Sequence, residues 1–349
     1  MPNECWLPRA ALWTALAMGG VVGRSPAAPA DATGAPPRMS REETTTLRRV
    51  HDPSTIVRCG DEYWFFYTGV GVRSYRSRDR VNWAPGPPVF REFPAWTREV
   101  VTNHTGHFWA PDVIRVNDRY LVYYSVSSWG KNRSAIGLAT NATLDPSDPA
   151  FGWKDEGIAV SSTPADNFNA IDPSVLLDRD GRLWMAFGSF WSGIKLVELD
   201  PATGKRKFPD APVEGLAFRE AIEAPCLHRR GDQYYLFVNW GLCCRGTNST
   251  YEIRVGRSGA VTGPYVDRDG IPLLHEAATP VLGTTNRFIG PGHAGILQVG
   301  AEDWMSYHYY DGAAHGRPTF ALRRLRWTAD GWPEVVDPAE AAAPSPPPK

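Results

Sequence analysis

The sequence has no surplus of either charge. Its 37 Lys and Arg stand against 38 Asp and Glu over 349 residues, a formal net charge of −1, so no global field draws the chain to a polyanion or an anionic membrane, and nucleic acid and membrane are disfavoured as partners. Long apolar runs are also missing. The longest, Ala10–Gly23, falls short of the about 20 residues that cross a bilayer. With Arg9 before it and the small-x-small triplet Ala28-Pro29-Ala30 after it, this run reads as part of a signal peptide over residues 1–30. The mature protein is then expected to be secreted, extracellular or periplasmic. Cysteine is scarce: removal of the leader takes Cys5 and leaves Cys59, Cys226, Cys243 and Cys244, an even number that export permits to pair. No two have the Cys-x₂₋₄-Cys spacing of a metal site, which makes zinc the weakest option. The adjacent Cys243-Cys244 reads equally as a vicinal disulfide, two thiols, or halves of two bridges. Outside the leader, no stretch longer than ten residues carries a helical stripe.

Turn formers and flat rings are what the chain has in quantity: 33 Gly, 31 Pro, 14 Trp, 13 Tyr and 14 Phe. Residues 31–48 and 338–349 are Pro- and Ala-rich without periodicity and read as a loose N-terminal tail and a disordered C-terminal tail, leaving one domain over 49–337. Within it one unit recurs five times, an acidic or polar residue opening an apolar strand, a Gly- or Asp-marked turn, then a strand dense in aromatics. The openings are Asp52, Asp112, Asp172, Glu223 and His293, and the aromatic strands are Tyr63–Tyr67, Tyr120–Tyr124, Leu183–Phe187, Tyr234–Val238 and Trp304–His308. Third strands follow at Ser134–Ala139, Gly193–Glu198, Tyr251–Gly256 and Phe320–Leu325, each alternating with period two. A repeat of roughly 50–70 residues suits a four-stranded unit, so the expected fold is all-β: a five-bladed β-propeller with four-stranded blades around a central funnel.

That fold turns a repeat into geometry. The innermost strands of all blades line one axis, so Asp52, Asp112, Asp172, Glu223 and His293 are expected to converge. Carboxylates crowded into one funnel repel and shift one another's pKa values, as acid–base chemistry requires. Glycosidic bonds are cut by such a pair, one acid protonating the leaving oxygen and one base or nucleophile on the other face of the sugar. Glu223, flanked by Ile222, Ala224 and Pro225, is the better acid. Asp52 is the candidate base, Asp172 the third carboxylate that keeps Glu223 protonated and oriented, and Asp112 is assigned to structure or substrate.

The motifs His51-Asp52-Pro53-Ser54, Trp109-Ala110-Pro111-Asp112, Asn169-Ala170-Ile171-Asp172-Pro173-Ser174, Gly188-Ser189-Phe190-Trp191, Ile222-Glu223-Ala224-Pro225 and Gly290-Pro291-Gly292-His293 resemble glycoside hydrolase family 43. The subgroup they most resemble is the endo-1,5-α-L-arabinanases, to which the Cys243-Cys244-Arg245-Gly246 run is also similar. The resemblance covers residues 51 to 327 in order. It implies hydrolysis of internal α-1,5-L-arabinofuranosidic bonds of plant cell-wall arabinan with inversion; the protein is expected to be a monomer. Asp52 would be general base, Glu223 general acid and Asp172 pKa modulator. It further implies Phe108 and Trp109 as a stacking floor, Asn169 and Ser189 at hydroxyls of the central sugar, and a calcium ion at His293 held otherwise mainly by water. Inversion predicts carboxyls about 6.5–9.5 Å apart. His104-Thr-Gly-His107 gains no role. The rival expectations are an exo-acting α-L-arabinofuranosidase or β-xylosidase on the same fold, and a non-catalytic sugar-binding propeller.

Overall fold

The computed structural model describes Leu47 and residues 49–336. The expected signal peptide over 1–30, nearly all of the 31–48 tail and the 338–349 tail lie outside the described residues. Five antiparallel sheets follow one another along the chain, and the expected architecture is the one found. The first blade is built from Val57–Cys59, Glu62–Tyr67, Arg73–Ser77 and Ala84–Pro85, and the second from His107–Val116, Arg119–Val126, Ser134–Asn141 and Lys154–Ser162. The third comprises Ser174–Leu177, Leu183–Phe187, Ile194–Leu199 and Glu214–Ala217; the fourth Ile222–Arg230, Gln233–Trp240, Glu252–Ser258 and Thr279–Leu282. Phe288–Val299, Glu302–Asp311, Arg317–Trp327 and Pro333–Val335 make the fifth. A two-residue strand, Gly69–Val70, reaches from the first blade onto Phe108 and His107 of the second. Among the described residues the α-helical content is one turn, Thr97–Val100, and no helix there is long and apolar enough to cross a membrane.

Local chemistry explains the hairpins. Val116 faces Arg119 across Asn117-Asp118, both left-handed (φ 49° and 61°), the two-residue turn that matches strand twist and that Asn and Asp tolerate best. The aromatic second strands then bury both faces, because each blade is packed between two neighbours. The core therefore consists of five layers between blades. Phe66, Val113, Val122 and Tyr124 fill the layer between the first and second blades, and Leu196, Leu227, Leu236 and Val238 that between the third and fourth. Each such side chain contributes about 1.5–3 kcal/mol of burial. The last layer closes the ring: Phe65 of the first blade stacks on Phe320 of the fifth at 4.5 Å, while the Phe320 N–H donates to the Leu47 carbonyl and the Arg49 N–H to the Pro318 carbonyl.

The innermost strands depart from the expected register. The residues that correspond from blade to blade are Asp52, Ala110, Asp172, Ala224 and His293, all left-handed with φ between 40° and 60°. Asp112 lies two residues after this position and Glu223 one before it. Strand pairing jumps at the same places, between Trp109 and Asp112, Glu223 and Cys226, and Gly292 and Gly295, as bulges that re-aim side chains do. Asp112 consequently does not join the other acids. One of its carboxylate oxygens accepts the Thr55 N–H (3.0 Å) and the other the Val175 N–H (2.9 Å), so it ties the first and third blades to the second.

Candidate active site

Asp52 is held from four sides. The His51 Nδ1 lies 2.8 Å from its Oδ1, the Thr68 hydroxyl donates to its Oδ2 at 2.6 Å, and the His293 Nδ1 is 3.5 Å from Oδ1. Its own N–H donates to the His308 Nδ1 at 3.1 Å, which fixes the left-handed turn at this residue. Burial alone would raise its pKa, but the adjacent His51, with His293 and His308 behind it, holds the carboxyl well below the usual carboxylate range. For His51 burial opposes the charged form, and Asp52 and Cys244 outweigh it, raising the imidazole to about 10. Asp52 is thus an anion paired with an imidazolium. His293 and His308, both buried, are driven toward the neutral form.

Glu223 has the opposite character. Its Oε2 accepts the Ser189 hydroxyl at 2.6 Å and its Oε1 the Tyr251 hydroxyl. Burial first, and the negative charge of Asp52 among the other causes, push it up to about 7, against the hydrogen bond from Ser189. Asp172 accepts the Ala224 N–H on Oδ2 (3.2 Å), and its own N–H donates to the Ser125 hydroxyl. Burial, then Glu223 and Asp52, hold it well above the ordinary range. Glu223, pushed up toward neutral pH, beside Asp52, held as the anion, gives an acid and a base in one buried site.

The other expected site residues divide. Trp109 is half-buried and precedes Ala110, whose N–H donates to the Thr68 hydroxyl that also holds Asp52. Asn169 is buried and accepts the Ser134 hydroxyl through Oδ1 at 2.6 Å. Ser189 spends its hydroxyl on Glu223, so it positions the acid rather than standing free for a sugar. Phe108 is a correction: it is fully buried among Phe90, Phe93, His104 and Tyr124 and belongs to the core, because its side chain points to the face of the strand opposite to Trp109's. His104, without a role in the sequence, packs its ring on Phe108 and bonds the His107 carbonyl, a structural task. His51, Thr68, His308 and Tyr310 join the site without having been candidates from the sequence. His51 had a local signal, adjacency to Asp52. His308 is 256 residues from Asp52, and nothing local announced it.

A small hollow is lined by Pro53, Ser54, Asp112, Ser174, Pro225 and His293 among others. Calcium takes six to eight oxygen ligands. This donor set offers the His293 imidazole, the Asp112 carboxylate already accepting two amides, and the Ser54 and Ser174 hydroxyls already hydrogen-bonded, so it fits a calcium ion only if water supplies most of the ligands.

A five-bladed propeller carrying an ionised and a protonated carboxyl in its funnel is a glycosidase-type β-propeller. Residues 45–333 match the family described as "Glycosyl hydrolases family 43", and the chain belongs to that family. It is 40% identical over 299 residues, 82% of this chain and 86% of the relative, to an extracellular exo-α-(1→5)-L-arabinofuranosidase of Cellvibrio japonicus. To an extracellular endo-α-(1→5)-L-arabinanase of Bacillus subtilis it is 39% identical over 292 residues, 81% of this chain and 87% of that one. The solved structure of a Cellvibrio cellulosa α-L-arabinanase complexed with arabinohexaose superimposes with a TM-score of 0.80 at 38% identity, covering 85% of this chain and 98% of that one.

Proposed function

We propose that the chain is a secreted, monomeric endo-1,5-α-L-arabinanase that hydrolyses internal α-1,5-L-arabinofuranosidic bonds of arabinan with inversion. The observation that carries this reading is the pair of buried carboxyls in opposite surroundings, Asp52 against His51 and His293 and Glu223 against the Ser189 and Tyr251 hydroxyls, surroundings that favour the anion at the first and the acid at the second. Glu223 transfers its proton to the leaving glycosidic oxygen as that bond breaks. Asp52 takes a proton from a water that attacks the anomeric carbon from the opposite face. Ser189 and Tyr251 hold the two oxygens of Glu223, so the carboxyl plane is set before substrate arrives. Asp172 fixes the Ala224 amide next to Glu223, and the negative charge of Asp52 favours the protonated acid. Trp109 offers the flat face for a furanose ring.

A calcium ion at His293, otherwise held by water, belongs to the same proposal. When bound it supplies a positive charge near Asp52. After chelator treatment, calorimetric titration with calcium should give one site per chain, and His293→Ala should abolish it; no heat in the wild type would remove the ion from the account.

Export is supported by the extracellular relatives. The exo reading keeps a place because the Cellvibrio relative is named as exo-acting. The product profile from linear 1,5-α-arabinan separates the two: short oligosaccharides and rapid loss of viscosity for endo action, arabinose or one short product from the chain end for exo action. Retention of the polymer without products would leave only a binding propeller.

A further inference from the structure

We propose that His51 Nε2, Cys243 Sγ and Cys244 Sγ form a binding site for a soft or borderline divalent cation, of the zinc and cadmium type, whose occupation arrests catalysis. The three atoms lie within 4.8 Å of one another, although His51 comes from the first blade and the cysteines from the loop after Trp240. Successive side chains of an extended strand point to opposite faces. Here Cys244 is left-handed (φ 63°), which turns both sulfurs to one side, 2.6 Å apart. Cys244 is exposed and Cys243 half-buried, so an ion reaches them from solvent. The Cys244 Sγ stands 3.6 Å from the His51 Nε2. A zinc ion about 2.3 Å from sulfur and about 2.0–2.1 Å from nitrogen needs nearly that separation. The two sulfurs must open by about 1 Å, a side-chain rotation, and water completes the fourth position.

His51 is pre-set for this role. Its ring stacks on His308 at 4.0 Å and its Nδ1 pairs with Asp52 Oδ1, so Nε2 is the nitrogen turned toward the sulfurs. Carboxylate, imidazole and metal in series is the usual way a ligating His is oriented. The Tyr310 hydroxyl, now 2.7 Å from Nε2, gives up that bond when the ion enters. Two thiolates and an imidazole select soft and borderline metals and reject calcium, which separates this site from the one at His293. Metal binding displaces the thiol protons. Asp52 keeps the Nδ1 contact it already has; the arrest comes from the ion and its water, which stand one imidazole away from Asp52 and obstruct the approach of the sugar and of the attacking water to that base. That second consequence rests on the proposed function; the binding itself does not.

Cadmium chloride is the probe, added to the full chain as purified, with its free thiols counted. The expected result is an ultraviolet thiolate-to-cadmium charge-transfer band that saturates at one equivalent and is absent from the Cys243→Ser, Cys244→Ser double variant. Arabinan hydrolysis by the wild type should fall by about 10²-fold or more, the share of a general base, and return on chelation. The double variant should keep its own metal-free rate. No band in the wild type, whether the thiols count as free or as an oxidised pair, overturns the site, as does a band that persists in the double variant. A saturated band with an unchanged rate overturns the arrest of catalysis. A chain inactive on arabinan would refute the proposed function, while the band would still decide the metal site.

Discussion

At the scale of single residues the account rests on two carboxyls driven in opposite directions by their neighbours. Glu223→Gln keeps the shape and removes the proton, so hydrolysis of arabino-oligosaccharides should drop by about 10²–10⁴-fold, while an oligosaccharide with a good aryl leaving group should lose far less. Equal losses on both substrates would remove Glu223 as the acid. Glu223 must be protonated to act and titrates near 7, so the rate should fall as pH rises through about 7. The Ser189 hydroxyl favours the ionised form of Glu223, so Ser189→Ala should move that limb of the pH profile to higher pH. A limb that stays in place would show that another group sets it. Asp52 is paired with His51 and stays ionised well below the usual range, so no low-pH limb near 4 should come from the base. The three carboxyls that meet here, Asp52, Asp172 and Glu223, were legible because each sits in a local motif. Their supports, Thr68, His308 and Tyr251, were not, because they arrive from other strands or other blades.

At the scale of the element the decisive feature is the left-handed residue that each blade places in or just before its inner strand. Three of the five are Asp or His, but two are Ala, and before proline the chain normally reads as extended. Ala110-Pro111 and Ala224-Pro225 therefore concealed the true register, and Asp112 and Glu223 were placed in line with Asp52 when they stand two residues after and one before it. The shift is why Asp112 braces blades instead of meeting sugar. Asp112→Ala leaves the Thr55 and Val175 amides without acceptors, at about 1–3 kcal/mol each. Thermal denaturation should show a clear fall in Tm, with the rate per folded molecule close to wild type; the reverse pattern, full stability and a lost rate, would place Asp112 in the chemistry. Inner and aromatic strands were legible from their apolar runs. Outer strands such as Ala84–Pro85 and Glu214–Ala217 are only two and four residues long, and Arg73–Ser77 has a single aromatic among polar residues, so neither kind carries a periodic signal.

For the whole molecule, five repeats imply a ring, and the ring implies that residues far apart in sequence share one axis; this much followed from repeat spacing alone. How the ring closes did not, since the contacts of Leu47 and Arg49 with the fifth blade rest on backbone groups that any sequence would supply. Closure sets the separation across the funnel between Asp52 of the first blade and Glu223 of the fourth, and that separation determines the stereochemistry. Two carboxyls about 6.5–9.5 Å apart leave room for a water between base and sugar, whereas about 5–5.5 Å makes the base a nucleophile. The most direct test is the anomeric configuration of the first product, read by proton NMR within the opening minutes of arabino-oligosaccharide hydrolysis. The account predicts the inverted β-anomer at the new reducing end. Initial appearance of the retained α-anomer would contradict it, because Asp52 would then attack the sugar itself.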